Sequence, residues 1–313
     1  MKYLITGGLG FIGSYFAEKL SQYSDNEITI IDNLSGASQQ GHELLKTKDN
    51  IKIYIDDIND KNTDLYKYID VVYHFAANSK ISEGVNNPDI DFEISTKGTH
   101  SVLKNMIQNN VPKIVYTSGS GVYGDQKYDE VSESFGPLLP VSYYGASKLA
   151  AEGYIAGFCG MKGIKGHIFR FANVVGKRQT HGVVYDFFHK LKNDSSKLEV
   201  LGDGLQSKSY IDVEDIYQAV QTVVKKNQSS LDVYNVATND YISVKDIAEI
   251  VISEMELDEV NVHYGKNSGG WIGDVPIIRF SSTKLRNLGW KNVLTSEQAI
   301  RNAIKTLIKD DNF

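Results

Sequence analysis

The chain opens with Met1-Lys-Tyr-Leu-Ile-Thr-Gly-Gly-Leu-Gly-Phe-Ile-Gly13, a short apolar run that ends in spaced glycines, and a helical pattern at 11–20 follows. Tyrosine, isoleucine and threonine favour a strand in the first six residues. Between a strand and a helix, Gly7 would permit a tight turn, Gly10 would let the backbone approach a pyrophosphate, and Gly13 would let helix and strand pack closely. The opening therefore predicts a phosphate-binding turn at a helix N-terminus. The alternative is a glycine-rich turn without a ligand.

Strand and helix patterns alternate through the first half of the chain. Strands separated by helices require crossover connections, which place the strands parallel in one sheet. We therefore predict an α/β protein: a Rossmann-type, doubly wound parallel sheet at 1–172, with a return segment near 209–238, and a smaller mixed α/β C-terminal domain at 173–313. The strand patterns lie at 2–6, 27–31, 51–55, 71–75, 113–117, 167–171 and 198–201, and the helical patterns at 11–20, 89–109, 143–158, 183–191, 213–224, 244–254 and 296–308.

The composition is that of an ordinary globular protein. With 313 residues, 41% hydrophobic and 23% charged, the chain is neither disordered nor in need of disulfide or metal staples. No apolar stretch approaches the roughly 20 residues that span a bilayer. A net charge of -6 favours neither nucleic acid nor an anionic membrane as partner. One cysteine, no histidine pair at ligand spacing and no signal-peptide pattern together predict a cytoplasmic protein without a metal site.

An acidic residue ends the second strand pattern. Asp32 lies about twenty residues after the glycines, where a carboxylate accepts hydrogen bonds from the ribose hydroxyls of NAD and repels the 2′-phosphate of NADP. The following Asn33-Leu-Ser-Gly36 offers no cation for that phosphate. This combination predicts NAD, and the alternative role of Asp32 is a turn former at a strand end. After the third strand, Asp57 is a candidate partner of the adenine amino group, and the adjacent Asp56 is the alternative.

A second pattern concerns proton transfer. Tyr144 and Lys148 stand four residues apart, so both share one face of a helix. A nearby ammonium and the positive nicotinamide ring of NAD would lower the pKa of the phenol, which then accepts a proton from a substrate hydroxyl. Tyrosine–lysine pairs with this spacing occur four times in the chain, so placement has to decide. Only Tyr144 begins a helix after the fifth strand, within the small-residue run Tyr144-Gly-Ala-Ser-Lys148.

Short segments in a characteristic order run through nearly the whole chain. They are Thr6-Gly-Gly-Leu-Gly-Phe-Ile-Gly-Ser14, Asp32-Asn-Leu-Ser35, His74-Phe-Ala-Ala77, Thr117-Ser-Gly-Ser-Gly-Val-Tyr-Gly124, Tyr144-Gly-Ala-Ser-Lys148, Arg170-Phe-Ala-Asn173, Gly202-Asp-Gly204 with Tyr210-Ile-Asp-Val213, and Gly273-Asp-Val-Pro276. In this conjunction the chain resembles the extended short-chain dehydrogenase/reductases, in the branch of NAD-dependent nucleotide-sugar epimerases and dehydratases. Within that branch it is most similar to the UDP-glucose 4-epimerases.

The resemblance implies an enzyme that uses NAD. Tyr144 would be the catalytic base and Lys148 its partner, which also holds the nicotinamide ribose. Contacts to NAD are implied for Gly7, Gly10, Phe11, Ile12, Gly13, Asp32, Asn33, Ser35, Asp57, Ile58, Phe75, Ala76, Ala77, Tyr144 and Lys148.

The resemblance also implies partners. Residues 1–172 would bind NAD, and 173–313 would mainly bind a nucleotide sugar that carries UDP, GDP or dTDP. Asn173 would meet the pyrophosphate of that substrate. Family members commonly dimerise through two helices per subunit, which correspond to 89–109 and 143–158 in this chain.

Two departures from the family pattern lie near the tyrosine. Many members carry serine or threonine at the position of Gly119, so Ser118 or Ser120 would have to supply the hydroxyl that bonds the sugar oxygen. The alternative is that both serines only satisfy backbone groups at the strand end. The resembled dehydratases place an aspartate and a glutamate where this chain has Ser120 and Gly121. These two positions cannot supply the acid and base that water elimination needs.

The phosphate-binding arginines of the 4-epimerases are also replaced. One corresponds to Lys208, which keeps the charge but loses the bidentate fork. The other falls near Gly270 or Trp271, where the chain has no cation, and Trp271 could stack on a base or serve as a core or lid residue. Cations that could compensate are Arg178, Lys177 and Arg279.

These observations predict oxidation at C4 of a nucleotide sugar. In a 4-epimerase the keto sugar rotates and takes the hydride back on its other face, whereas in a 4-dehydrogenase it leaves and NADH must be reoxidised. We expect a 4-epimerase of surface polysaccharide assembly, with the 4-dehydrogenase as the alternative. A 4,6-dehydratase, a non-catalytic NAD-binding regulator and a plain NADPH reductase fit less well. Ser120 and Gly121 argue against a dehydratase, and the intact tyrosine–lysine pair argues against a non-catalytic regulator. Asp32 argues against an NADPH reductase.

Overall fold

A parallel sheet of seven strands forms the centre of the computed structural model, which describes residues 1–60, 63–78, 81–126 and 130–311. Its central strands are runs of apolar, mostly β-branched and aromatic residues, as expected for parallel strands that are covered on both faces. The strands of the chain are β1 (Lys2–Thr6), β2 (Glu27–Asp32), β3 (Ile51–Ile55), β4 (Val71–His74), β5 (Lys113–Gly119), β6 (Lys165–Phe171), β7 (Asn173–Val175), β8 (Lys197–Val200), β9 (Ser207–Lys208), β10 (Tyr210–Asp212), β11 (Leu231–Val236), β12 (Ile242–Ser243) and β13 (Asn261–Tyr264).

Some of the helices cover both faces of this sheet, and others belong to the second half of the chain. The helices are α1 (Phe11–Ser21), α2 (Gln39–Lys46), α3 (Pro88–Asp91), α4 (Gly98–Gln108), α5 (Tyr143–Lys162), α6 (Val183–Asn193), α7 (Val213–Lys226), α8 (Val244–Glu254), α9 (Thr283–Asn287) and α10 (Ser296–Asp311). α1 and α7 pack on one face through side chains such as Phe16 and Val220. α4 and α5 pack on the other through side chains such as Met106 and Ile155. In the described part of the chain, no helix is both long and apolar enough to cross a membrane.

The strand order of the sheet is β11–β6–β5–β4–β1–β2–β3, and all neighbours are parallel. The predicted Rossmann-type fold is therefore confirmed. The order reverses beside β1, so the loops after β1 and β4 diverge and leave a crevice at the carboxyl ends of the strands. Thr6, the last residue of β1, is in register with Ile31 and His74. The glycine turn after Thr6 consequently lies between the loops that follow β2 and β4.

Three elements of the sheet layers differ from the sequence-based expectation, and the first is α2, which was not predicted. β11 lies in the return segment 209–238 but was not itself predicted, because Asp232 and Asn235 interrupt its apolar pattern. The single helix expected at 89–109 is wrong in detail, because a π-helical turn, Phe92–Lys97, separates α3 from α4. This wider turn brings Thr96 Oγ1 within 3.3 Å of the Ser147 carbonyl of α5, to which it donates a hydrogen bond.

The second half of the chain builds a smaller hydrophobic core of its own. α6, α8 and α10 bury apolar side chains against one another, among them Phe187, Ile247 and Ile300. Three short strand pairs border this core: β10 with β7 and β13 with β8 are parallel, and β12 with β9 is antiparallel. This mixed α/β layer faces the carboxyl ends of the large sheet and closes the crevice on one side.

Candidate active site

A cavity of about 780 Å³ runs along the carboxyl ends of the sheet strands and reaches the smaller core of the second half. Pockets of this size hold drug-sized ligands and cofactors. Its wall contains nearly every residue that the sequence singled out: Gly7, Gly10, Phe11, Ile12, Gly13, Asp32, Asn33, Ser35, Asp57, Ile58, Phe75, Ala76, Ala77, Ser118, Ser120, Tyr144, Lys148, Asn173, Lys208 and Trp271. The exceptions are the three cations Lys177, Arg178 and Arg279.

The glycine turn forms the floor of one end of the cavity. Gly7 has a φ of +66°, and a Cβ there would lie 2.7 Å from the nitrogen of Ala76. A Cβ at Gly13 would overlap the carbonyl oxygen of Gly7, so this glycine allows α1 to pack against β1. A Cβ at Gly10 would come no closer than 3.4 Å to its nearest neighbour, the Gly7 oxygen. Gly7 and Gly13 are therefore required by the fold itself, whereas the space beside Gly10 belongs to the cavity.

Asp32 stands at the end of β2 and is 7% exposed. Oδ2 accepts a hydrogen bond from the backbone N–H of Leu9 at 2.9 Å, and Oδ1 accepts one from Leu34 at 2.8 Å. Each carboxylate oxygen has further lone pairs, so Asp32 fixes two loops and can still accept hydroxyl donors from the cavity. It therefore acts as a turn former and remains available to a ribose.

The loop after β3 carries two acids on the cavity wall. Asp57 Oδ2 accepts a hydrogen bond from Asn33 Nδ2 at 2.9 Å, which ties this loop to the one after β2. Asp56 Oδ1 accepts the backbone N–H of Asp57, also at 2.9 Å. Both acids line the cavity, so the choice between them as partner of an adenine amino group stays open.

Tyr144 and Lys148 lie in the first two turns of α5. Ser142 caps the helix by accepting the N–H of Gly145 at 3.1 Å. Lys148 is 2% exposed, and its Nζ donates a hydrogen bond to the carbonyl of Thr117 at 2.8 Å. The same Nζ lies 5.7 Å from the centre of the Tyr144 ring. The ammonium is therefore fixed at the end of β5, beside the Tyr144 ring.

Burial dominates the acid–base properties of this pair. It raises the pKa of Tyr144 to about 12, and the negative charge of Asp91 adds to that increase. Burial also lowers the pKa of Lys148 to about 8, against the opposing charges of Glu152 and Asp91. The lower pKa expected for Tyr144 is thus not produced by the protein's own groups. It requires an additional positive charge beside the phenol, such as a nicotinamide ring.

The segment after β5 lies beside the tyrosine. A Cβ at Gly119 would lie 3.9 Å from Tyr144 Oη. Ser118 Oγ is buried and has no hydrogen-bond partner among residues 1–60, 63–78, 81–126 and 130–311. The alternative role, in which both serines only satisfy backbone groups at the strand end, therefore does not hold for Ser118. Ser120 and Gly121 line the cavity and bring no carboxylate to it at these two positions.

Lys208 lies on the substrate side of the cavity, but its charge is partly neutralised. Its Nζ forms an ion pair with Asp274 Oδ1 at 2.6 Å, and Asp274 also lies on the wall. Trp271 lines the cavity three residues before this aspartate. The sequence pattern contained Asp274 within a family segment without suggesting its role, because the two partners stand far apart along the chain.

The cations expected to compensate do not reach the cavity. Arg178 has a φ of 67°, which turns its side chain toward α1, where Nη2 lies 2.8 Å from Glu18 Oε2. Lys177 pairs with the same glutamate at 3.4 Å. Arg279 lies 3.9 Å from the centre of the Tyr241 ring and donates to a backbone carbonyl. Arg178 anchors a loop to the first helix, so we do not retain it as a substrate-binding candidate.

Sequence reasoning missed the N-terminus of α6 as part of the site. Gly182, with a φ of +94°, precedes the helix, and Thr180, His181 and Gly182 all lie on the cavity wall. The first N–H groups of a helix have no partner within the helix and, together with the helix dipole, favour an anion. The signal was present as a glycine directly before the helical pattern at 183–191.

Comparisons with known proteins agree with this geometry. The model of the NAD dependent epimerase/dehydratase family matches residues 3–237. The chain is 30% identical over 315 residues to a putative UDP-glucose 4-epimerase of Methanocaldococcus jannaschii, with 99% of each covered. It is also 30% identical over 316 residues to the dTDP-D-glucose 4,6-dehydratase of Mus musculus, with 96% of this chain and 87% of that protein covered. A solved UDP-galactose 4-epimerase structure matches with a TM-score of 0.87 and 32% identity over 99% of both chains. The chain therefore belongs to the NAD-dependent epimerase/dehydratase family of nucleotide-sugar enzymes.

Proposed function

We propose that the protein is a nucleotide-sugar 4-epimerase. NAD, when bound, supplies a hydride acceptor and returns the same hydride. Tyr144 Oη takes the proton of the C4 hydroxyl as the C4 hydrogen leaves with its electron pair, so a C4 ketone forms. After the keto sugar rotates, Tyr144 returns the proton to the oxygen, and C4 is inverted without a net change in mass. The observation that carries this proposal is the Tyr144–Lys148 pair on the wall of a large cavity.

The residues beside Tyr144 favour epimerisation over elimination of water. Loss of water from the sugar needs a further acid and base close to the phenol. At the two positions after Gly119 the chain has Ser120 and Gly121, and neither can act in that way. We place the Ser118 hydroxyl, which is buried without a partner in the described residues, near the C4 oxygen, to which it would donate a hydrogen bond after its side chain rotates into the cavity. We therefore assign Ser118 and Ser120 to the sugar and Tyr144 to proton transfer.

We further propose that residues 1–172, with the segment 209–238, form the NAD-binding unit. The glycine turn and the N-terminus of α1 offer an anion site for the pyrophosphate. Asp32 suits the adenosine ribose, and the loop after β3 suits the adenine. The proposed NAD contacts are Gly7, Gly10, Phe11, Ile12, Gly13, Asp32, Asn33, Ser35, Asp57, Ile58, Phe75, Ala76, Ala77, Tyr144 and Lys148.

Substitution of Gly10 by alanine tests the phosphate role of the turn. The added methyl group has room within the protein, since its nearest contact is at 3.4 Å, but it occupies space on the cavity wall. We expect Gly10→Ala to unfold at the wild-type temperature and to bind NAD at least about tenfold more weakly. The measurements are thermal unfolding and calorimetric titration with NAD.

Gly13→Ala is the matched control for this substitution. Its methyl group would overlap the Gly7 oxygen, so helix and strand must separate and the unfolding temperature should fall. Wild-type NAD affinity in Gly10→Ala would show that the pyrophosphate does not lie beside this glycine.

The substrate diphosphate would lie at the N-terminus of α6. Because Asp274 neutralises part of the Lys208 charge, the helix N-terminus would provide much of the attraction for the phosphates. Asn173 and Lys208 would position the diphosphate, and Trp271 would stack on the base. The remainder of the second half, 173–313, would enclose the substrate.

We also propose a cytoplasmic homodimer that forms through α4 and α5. The exposed face of α5 contains Gly153, Gly157 and Gly160, and a Cβ at any of them would meet no atom of the described chain within 4 Å. Glycine inside a helix costs about 1 kcal/mol relative to alanine, so close approach of a second copy would explain three on one face. Tyr154 and Met161, 45% and 84% exposed, lie on the same face.

The dimer proposal predicts a mass twice 34.9 kDa in solution. Gly157→Glu places a charged side chain at the closest approach of the helices and should halve that mass, because a buried unpaired charge destabilises an interface. Light scattering after size-exclusion chromatography measures both proteins. A wild-type protein of 34.9 kDa in solution would contradict the proposal.

The function is tested by incubating the protein with NAD and a panel of UDP-, GDP- and dTDP-sugars, followed by chromatography and mass spectrometry. The proposal predicts a new product of unchanged mass without accumulation of NADH. A product lighter by two hydrogens with NADH would instead identify a 4-dehydrogenase, and loss of water would identify a dehydratase.

A further inference from the structure

A buried carboxylate that the proposed reaction does not use lies behind the tyrosine–lysine pair. Asp91 is the last residue of α3 and is 1% exposed. Its Oδ1 accepts a hydrogen bond from Asn78 Nδ2 at 3.1 Å, and Asn78 lies on the cavity wall. Its Oδ2 is buried and has no hydrogen-bond partner among the residues that the structure describes. Glycine at position 84 leaves room for Oδ2 of Asp91, because a Cβ at that position would overlap this oxygen.

An ionised carboxylate in such a place needs a nearby positive charge, since burial of an unpaired charge is strongly unfavourable. α3 packs directly on α5, which carries the buried ammonium of Lys148. Burial raises the pKa of Asp91, and the charge of Lys148 opposes that increase. The other ionisable groups around this pair are Tyr144 and Glu152 on α5, Tyr116 on β5 and His74 on β4, and Glu152 is itself paired with Arg170. In the described chain, Lys148 is therefore the cation whose charge acts on Asp91.

We propose that Asp91 is a positioning residue for proton transfer: its carboxylate is, beside Glu152, a buried countercharge of the Lys148 ammonium and at the same time fixes Asn78 in the cavity wall. This inference rests on the proposed function, because it assigns Asp91 an effect on the proton of Tyr144. The negative charge keeps Lys148 protonated and keeps Tyr144 a neutral phenol. Tyr144 then becomes a base only when the positive nicotinamide ring lies beside it.

Removal of the Asp91 charge should shift the titrations of Tyr144 and Lys148 in the same direction. The negative charge of Asp91 opposes ionisation of Tyr144. Without that charge, the phenol loses its proton at lower pH. Lys148 loses a favourable partner, so it too loses its proton at lower pH. The active form requires an ionised Tyr144 and a protonated Lys148, so both limbs of the profile of kcat/KM against pH should move toward acid. A purely structural role of Asp91 would lower activity or stability but leave both limbs in place.

The test compares Asp91→Asn with wild type in two measurements on the NAD-loaded protein. The first is the pH profile of kcat/KM with a nucleotide sugar that the wild type converts. The second needs no substrate: the ultraviolet titration of one phenol, obtained as the difference between each protein and the same protein carrying Tyr144→Phe. We expect both limbs and the phenol titration to shift to lower pH by about one unit.

The matched control is Asp89→Asn, which removes an equal charge from the exposed side of the same helix and should leave both measurements unchanged. Asp91→Glu, which keeps the charge, should restore the wild-type limbs. If Asp91→Asn does not fold, Asp91→Ala replaces it as the neutral variant. The proposal is overturned if, in the neutral variant, both limbs of the kcat/KM profile and the phenol titration stay at their wild-type pH values.

The two measurements separate this inference from the proposed function. An active wild-type enzyme whose neutral variant shows no shift would refute the role of Asp91 and leave the 4-epimerase intact. A shifted phenol titration in a protein that converts no nucleotide sugar would support the role of Asp91 and refute the proposed reaction.

Discussion

Tyr144→Phe should lower kcat by about a thousandfold, because general acid–base catalysis by one positioned group contributes typically 10²- to 10⁴-fold. The substitution keeps the aromatic ring at the N-terminus of α5 and removes only the hydroxyl that exchanges a proton with the sugar. NAD affinity should stay within about threefold of wild type, since one hydrogen-bonding group contributes little to the binding of so large a ligand. The measurements are turnover of the nucleotide sugar identified with the panel and calorimetric titration with NAD.

The neighbouring Tyr143 provides the matched control. It is 55% exposed and lies in the same first turn of α5, but it does not line the cavity. Tyr143→Phe should therefore retain wild-type turnover. If Tyr144→Phe also retained it, the phenol would not be the proton acceptor.

Lys148→Met should lower kcat/KM by about a hundredfold or more and remove the alkaline limb of its pH profile. In the wild type the pKa of Lys148 is lowered to about 8 by burial. As the pH rises through that value, the ammonium loses its charge, the phenolate of Tyr144 loses its electrostatic support, and activity falls. Methionine fills a similar volume but carries no proton, so activity should be low throughout and should not decline further near pH 8.

Lys162→Met is the control for this second substitution. Lys162 lies at the other end of α5 and is exposed, so its replacement should preserve both the rate and the alkaline limb. The outcome that would contradict the role of Lys148 is an alkaline limb that persists unchanged in Lys148→Met. The titrating group would then have to be another residue.

The fold could be predicted to the extent that its signals are local. β1 to β6 and the helices α1 and α5 have apolar patterns bounded by turn residues, whereas α2 was not predicted, and the predicted doubly wound sheet is confirmed. The pairing of β11 with β6 joins two distant segments, so no local pattern contained it. The π-helical turn Phe92–Lys97 also has no signature in periodicity, because it depends on the packing of the helix against α5.

The residues of the candidate site, like the elements of the fold, could be predicted only where their signals are local in the sequence. Gly7, Gly10 and Asp32 were found because their roles follow from spacing within a single strand–turn–helix unit. The Lys208–Asp274 pair and the contact of Asp91 with Asn78 could not be found, because each depends on how separate segments meet in space. Arg178 illustrates the opposite error: charge alone suggested a phosphate ligand, whereas the local backbone turns the guanidinium toward Glu18.

The central claim is that one hydrogen leaves C4 and returns to the same carbon on its other face. The direct test uses the accepted nucleotide sugar labelled with deuterium at C4, with the product examined by mass spectrometry and proton NMR. We predict a product that is inverted at C4, has the mass of the labelled substrate and carries full deuterium at that carbon. Loss of the label to solvent, or its accumulation in reduced cofactor beside a 4-keto sugar, would contradict the account.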